Sequence, residues 1–386
     1  VLTAVRVLTA AMLALHAPVD APIREQQQWV LDALNVEQAW NVTKGAGVTV
    51  AVIDSAVDAE VKELRGRVVL GPDMSSGAAR PREVAPGEHG TAMAALIAGS
   101  GAGGGFVGVA PEARVLSLPL AVDEDQENQI APPLLNEQGG AESPLARALR
   151  YAANHGAKVI SMSIGNYGPH RSEREAVSYA LGKGVVLVAA VGNDGQTNYT
   201  KENGTSYWSF PAGYPGIIGV AAVDKASKAA PYSSDNLSVL VAAPGSGVPV
   251  VKRGSGYELS EGTSSAAALV AGVAALIKAR YPDLRPEQVS QALATGARGR
   301  PAAGYDDRTG FGVVDAGAAL NAAERFAGQT RAVPVPADQH FGQGEDSPEP
   351  SAPGPDPWRL WLYGVGVLVA LVMFCGAIVL LNQRRE

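Results

Sequence analysis

The sequence predicts an α/β domain in three layers, a mostly parallel sheet with helices on both faces, followed by one long apolar helix. Three observations predict it. From residue 47 to residue 327, short β-branched runs alternate with Ala- and Leu-rich helical stretches, the order that builds parallel sheets covered on both sides. Residues 262–276 run from a Gly-Thr-Ser turn into almost nothing but small apolar residues. A helix with no polar face belongs inside a domain. Residues 360–381 carry no charge and are long enough to cross about 30 Å of hydrocarbon.

In chain order, residues 1–21 read as a signal peptide: Arg6 precedes an apolar run over 7–15 that is too short to span a bilayer. A buried helix packed on the domain is the alternative. Residues 22–46 form an N-terminal extension with Trp29, Leu31, Leu34, Val36 and Trp40 as its larger apolar residues. The main domain, 47–327, opens with a buried strand that ends in Asp54. A carboxylate at the C-terminal end of a central parallel strand lies where ligands and catalysis collect. After a short apolar run at 68–70, Gly87-Glu88-His89-Gly90 opens a small, apolar helix. Residues 113–120 predict the next strand, 122–143 an acidic irregular loop and 144–155 a helix. Residues 158–165 predict a buried strand and 173–183 a helix. Residues 185–191 predict the strand that delivers Asn193, and 216–223 and 239–243 two more. Residues 282–295 hold a helix with Pro286 in its first turn.

Residues 328–358 form a Pro- and Gly-rich linker. Residues 359–381 read as a transmembrane helix with Trp358, Trp361 and Tyr363 as interfacial aromatics. Arg384 and Arg385 favour a cytoplasmic tail over 382–386; Arg359 weakens that charge argument, but the N-terminal export signal supports the same orientation. The net charge of −7 argues against nucleic acid as a partner. The one cysteine, Cys375, lies in the last apolar segment, so the rest of the chain has no disulfide of its own.

Ser264 stands at the N-terminal end of the buried helix. Free N–H groups and the positive end of the helix dipole there stabilise a nucleophilic oxygen and a developing oxyanion. Serine is also a favoured N-cap, and most such runs are only helix starts, so the stretch by itself is a weak catalytic signal. A serine nucleophile needs a base and a group that orients the base. Of the histidines at 16, 89, 155, 170 and 340, His89 lies in a Gly-bounded turn feeding a small, apolar helix, and Asp54 ends a buried strand.

Four segments carry a family resemblance: Val50-Ala51-Val52-Ile53-Asp54-Ser55, His89-Gly90-Thr91-Ala92, Ala189-Ala190-Val191-Gly192-Asn193 and Gly262-Thr263-Ser264-Ser265-Ala266. Together they resemble the subtilisin-like serine proteases, with the triad in the order Asp…His…Ser. The resemblance implies Asp54, His89 and Ser264 as catalytic residues and Asn193 as an oxyanion donor, where a plain turn residue is the alternative. It also implies that Ser163, Ile164 and Gly165 pair with the substrate backbone as an added strand, where an ordinary strand end is the alternative. Gln28-Trp29-Val30-Leu31-Asp32-Ala33-Leu34, with Ala39-Trp40 before Gly45-Ala46-Gly47, resembles the N-terminal extension of the mycosins. These are the membrane-anchored subtilisin-like proteases of type VII secretion systems in actinobacteria. In them the extension wraps the catalytic domain without blocking it.

Three residues depart from the family pattern: Ala56 replaces a glycine, Ala268 a proline and Ala95 a frequent glycine. Each keeps the position small, and none removes a proton-transfer group. The expectation is a subtilisin-like three-layer fold carrying an extracytoplasmic, membrane-anchored serine endopeptidase with its C-terminus in the cytoplasm. Its partners would be a protein or peptide substrate, the membrane and the type VII secretion core complex. No cofactor and no metal are expected; Asp123, Glu124 and Asp125 could take calcium but read as a solvated acidic loop. The alternatives are a weakly active or inactive structural subunit of the secretion complex, or a maturation protease unrelated to type VII secretion.

Overall fold

Strand β1 (Thr49–Asp54) shows how the sheet is made. Val50 and Val52 point into one apolar core, Ala51 and Ile53 into another, and all four are buried. Alternate residues of a strand face opposite sides, so a strand apolar on both faces must lie between two layers of helices. The structure, a computed structural model, describes residues 22–75, 85–120, 142–254, 256–327 and 357–383. The expected signal peptide, the acidic loop from 121 to 141 with Asp123, Glu124 and Asp125, the linker up to 356 and the tail from 384 lie outside the described residues.

Helices α1 (Ile23–Ala33) and α2 (Val36–Trp40) precede β1. Then come β2 (Val68–Leu70), α3 (Glu88–Ala98), β3 (Arg114–Pro119), α4 (Pro144–Asn154), β4 (Val159–Met162), β5 (Asn166–Tyr167) and α5 (Arg171–Gly182). The chain continues through β6 (Val186–Ala190), α6 (Asn198–Asn203), β7 (Ser209–Phe210), β8 (Ile218–Val223) and β9 (Val239–Pro244). An antiparallel pair, β10 (Ser246–Val251) and β11 (Tyr257–Glu261), leads into α7 (Thr263–Arg280), α8 (Pro286–Gly296) and α9 (Ala316–Ala327). The main sheet has the order β2-β3-β1-β4-β6-β8-β9 and is parallel throughout. Residues of α3, α7, α8 and α9 fill one core and those of α4 and α5 the other.

Helices α6 and α9 and the pair β5–β7 were not predicted, and two further differences from the reading of the sequence bear on the site. The strand expected over 158–165 leaves the sheet after Met162, and Ser163, Ile164 and Gly165 continue beyond it toward β5. The hairpin β10–β11 was not anticipated, because its Gly and Pro residues and its charges break the apolar alternation that marks a strand.

The N-terminal extension is lashed to the body by side chains. Buried Gln27 both donates to the carbonyl of Val107 at 2.8 Å and accepts from its N–H at 2.9 Å. The Trp40 indole donates to the carbonyl of Val109. Arg298 donates to the carbonyl of Ala33 at the C-terminal end of α1 and pairs with buried Asp315 at 3.1 Å. Asn35, in the left-handed conformation at φ 50°, donates to the same carboxylate.

The chain divides into two compact units, residues 1–329 and 330–386. The second contains α10 (Pro357–Gln383), whose span Trp361–Ile378 is exposed and is long and apolar enough to cross a membrane. Helix α7 meets the same length and composition but is buried in the core of the first unit.

Replacing Gln27 with Ala strands a buried N–H and a buried carbonyl. Urea unfolding should show a loss of about 2 kcal/mol relative to the parent chain; an unchanged midpoint would mean that Val107 finds other partners.

Candidate active site

Ile53 of β1, Met162 of β4 and Ala189 of β6 are register partners across the middle of the sheet. The residues that follow them, Asp54, Ser163 and the loop to Asn193, therefore emerge at one C-terminal edge, the edge at which open α/β sheets bind ligands.

The turn before α3 is stitched to the loop after β1. The Gly87 N–H donates to the carbonyl of Ala56 at 2.7 Å, the Gly90 N–H to Ser55 Oγ at 2.9 Å, and the Asp58 N–H to Thr91 Oγ1 at 2.9 Å. Gly90 is needed for this approach, since a Cβ there would lie 2.1 Å from the carbonyl oxygen of Ser55. The stitching brings His89 Nδ1 to 2.7 Å from Asp54 Oδ1, which also accepts the Ser55 N–H at 2.7 Å. With an ionised carboxylate as acceptor, Nδ1 carries the proton and Nε2 is the basic nitrogen. Only 4% of the Asp54 side chain is exposed, against 33% for His89. The orienting charge is hidden while the base stays accessible. Ala56 tolerates its side chain: it is buried, and the described residues other than glycine with positive φ are Asn35 and Ser227.

Ser264 is the second residue of α7, behind the N-cap Gly262. Its own N–H is among the groups without an intrahelical acceptor. Thr263 links this turn to the β6 loop: its N–H and its hydroxyl both donate to Asn193 Oδ1, at 3.0 and 3.1 Å. Its hydroxyl also accepts the Gly192 N–H at 3.3 Å. Two donors on Oδ1 fix the orientation of the amide and leave Nδ2 as the donor end. Gly192, at φ 103°, supplies the bend that a side chain would resist. Nearby, burial and the Asp194 carboxylate push the Tyr167 phenol up to about 12.

The structure therefore joins Asp54 to His89, and Asn193 to the turn that carries Ser264. Ser163 Oγ lies 3.5 Å from the carbonyl oxygen of Ser264. Among the described residues no strand pairs with 163–165. Ser55, Thr91 and Thr263 were missed by the sequence reading, although each lies within two residues of a predicted site residue. For Thr91 and Thr263 the signal was a hydroxyl directly after a glycine at a helix start, where side chains bond to backbone; Ser55 has no neighbouring glycine and carried no such mark. The described residues hold no cluster of ligating side chains fit for a metal ion. The arrangement offers an oriented imidazole, a serine at a helix N-terminus and an amide held beside that serine's turn, kinds of group that an acyl-transfer site uses.

A model of the subtilase family matches residues 45–312. Mycosin-1 of Mycobacterium tuberculosis is 34% identical over 382 residues, covering 89% of this chain and 83% of the relative. Fervidolysin of Fervidobacterium pennivorans is 33% identical over 319 residues, which is 76% of this chain and 43% of fervidolysin's length. The solved structure of the serine protease MycP1, an essential component of the type VII (ESX-1) secretion system, aligns with a TM-score of 0.64 at 32% identity. It covers 78% of this chain and 90% of that one.

Thr263→Val keeps the side-chain volume but removes the hydroxyl that bridges Gly192 and Asn193. Denaturant titration should show about 1–3 kcal/mol lost and largely restored in Thr263→Ser. Equal midpoints for Val and Ser would show that the bridge contributes nothing.

Proposed function

Because the chain belongs to the subtilase family, we propose that it is a serine endopeptidase in which Ser264 attacks the peptide carbonyl and His89 takes its proton. His89 then returns the proton to the leaving amine, while Asp54 holds the imidazole tautomer and stabilises the imidazolium. Asn193 Nδ2 and the Ser264 N–H bind the oxyanion, and the backbone of 163–165 holds the substrate as an added strand. The observation that carries this reading is the 2.7 Å bond between His89 Nδ1 and buried Asp54, because it leaves Nε2 basic and fixed. The residues assigned here need no metal and no cofactor.

The apolar, exposed span of α10 supports anchoring in a membrane, and the N-terminal export signal with Arg384 and Arg385 after the span supports a catalytic domain outside the cytoplasm. The similarity to MycP1 supports a place in type VII secretion. The contacts of Gln27, Asn35 and Trp40 support an extension that wraps the domain and leaves the site open.

Full-length protein in detergent should react with a fluorophosphonate, and Ser264→Ala should lose the label. Asn193→Ala should keep KM and lower kcat by about 10²–10³-fold. A folded chain that leaves the probe untouched would point instead to a structural subunit.

A further inference from the structure

The hairpin β10–β11 lies outside the main sheet, paired from Ser246↔Glu261 to Val251↔Tyr257. Its base is continuous with the serine turn. The Gly262 N–H donates to the carbonyl of Gly245 at 2.9 Å, and the hydroxyls of Ser260 and Ser265 share a hydrogen bond of 2.9 Å. Its tip reaches the histidine turn. Arg253 donates to the carbonyl of Pro86, and Lys252 lies between Glu258 at 3.2 Å and Glu88 at 3.9 Å. Its second strand reaches the loop that follows Asp54: the Tyr257 hydroxyl donates to Glu63 Oε1 at 2.7 Å, and its ring stacks on buried Phe106.

Glu63 gives this last contact its weight. The residue is 4% exposed, and a buried carboxylate persists only where it is bonded or paired. Its described partners are the Tyr257 hydroxyl and Lys62 at 3.6 Å. Its backbone carbonyl accepts the Ser100 N–H just past the end of α3. One hairpin thus touches the segments that carry Asp54, His89 and Ser264, which lie far apart in the chain.

We propose that the β10–β11 hairpin sets the spacing between base and nucleophile, with Tyr257 and Arg253 as positioning residues. The proposal rests on the triad assigned above. No proton or charge passes through the hairpin; it acts through geometry, and a displacement of about 1 Å can cost about 10²-fold in rate.

The test uses the full chain in detergent with Tyr257→Phe, Arg253→Ala and Arg253→Lys, measuring peptide hydrolysis and the rate of fluorophosphonate labelling. Tyr257→Phe and Arg253→Ala should each lower kcat about tenfold, with KM within about twofold. Labelling should slow by the same factor, and Arg253→Lys, which can still donate to the Pro86 carbonyl, should recover most of the loss. Arg253 is exposed, so its variants fold even if Tyr257→Phe does not. Folded Arg253→Ala with parental kcat and labelling rate would overturn the proposal, as would a loss confined to KM or to thermal stability. A parent chain that does not label at all would overturn the triad and this proposal with it.

Discussion

The packing of α7 is the constraint on which the rest of the structure depends. From Ser265 to Lys278 every residue of the helix is buried, so polar groups near its two ends find partners within the protein. At the C-terminal end Lys278 turns back and donates to the carbonyls of Pro282 and Leu284, at 2.6 and 2.7 Å. Burial there pulls the ammonium below the usual lysine range. At the N-terminal end, Thr263 bonds to Asn193, and the remaining donors face the edge of the sheet where β1, β4 and β6 stop. A helix forced into the interior by its composition delivers its positive end to the place where a negative charge would form.

The same economy governs the second half of the site. The Asp54 carboxylate is hidden because β1 is apolar on both faces, and His89 meets it because Gly90 lets α3 approach the β1 loop. The departures from the family pattern fit that packing. Ala56 sits in the core without a left-handed backbone. Ala95 and Ala268 lie fully buried in α3 and α7. At position 268, six residues into α7, alanine keeps the backbone N–H that a proline would lack.

Much of this was legible in the sequence because it is written in periodicity and punctuation. The strands β1 and β6 are apolar on consecutive residues and β4 is so except at Ser161, α3 and α7 follow glycine-bounded turns, and Asp54, His89, Asn193 and Ser264 stand where these elements begin or end. What was not legible depends on contacts between residues far apart in the chain. Gln27 reads as one polar residue among three glutamines, and only the fold brings Val107 to it. The hairpin β10–β11 carries no alternation because Val248–Val251 of β10 are buried on consecutive residues, while β11 exposes Glu258, Leu259 and Glu261. Its meeting with Pro86 and Glu63 spans well over a hundred residues of chain. The pairing of Arg298 with Asp315, and of both with the extension, is likewise tertiary.

The burial of α7 also bears on how this protein can change over evolutionary time. Where every direction around a helix is filled, an added methylene meets backbone or a neighbouring side chain, and overpacking of that kind costs about 1–3 kcal/mol. Gly272 is an example, since even a Cβ there would come within 2.6 Å of Val109. Substitutions along α7 will be purged for their volume long before they alter any chemistry. Invariance at Ala271 or Gly272 in a set of related chains would therefore record the tightness of the interior. It would be no guide to which residues touch the substrate.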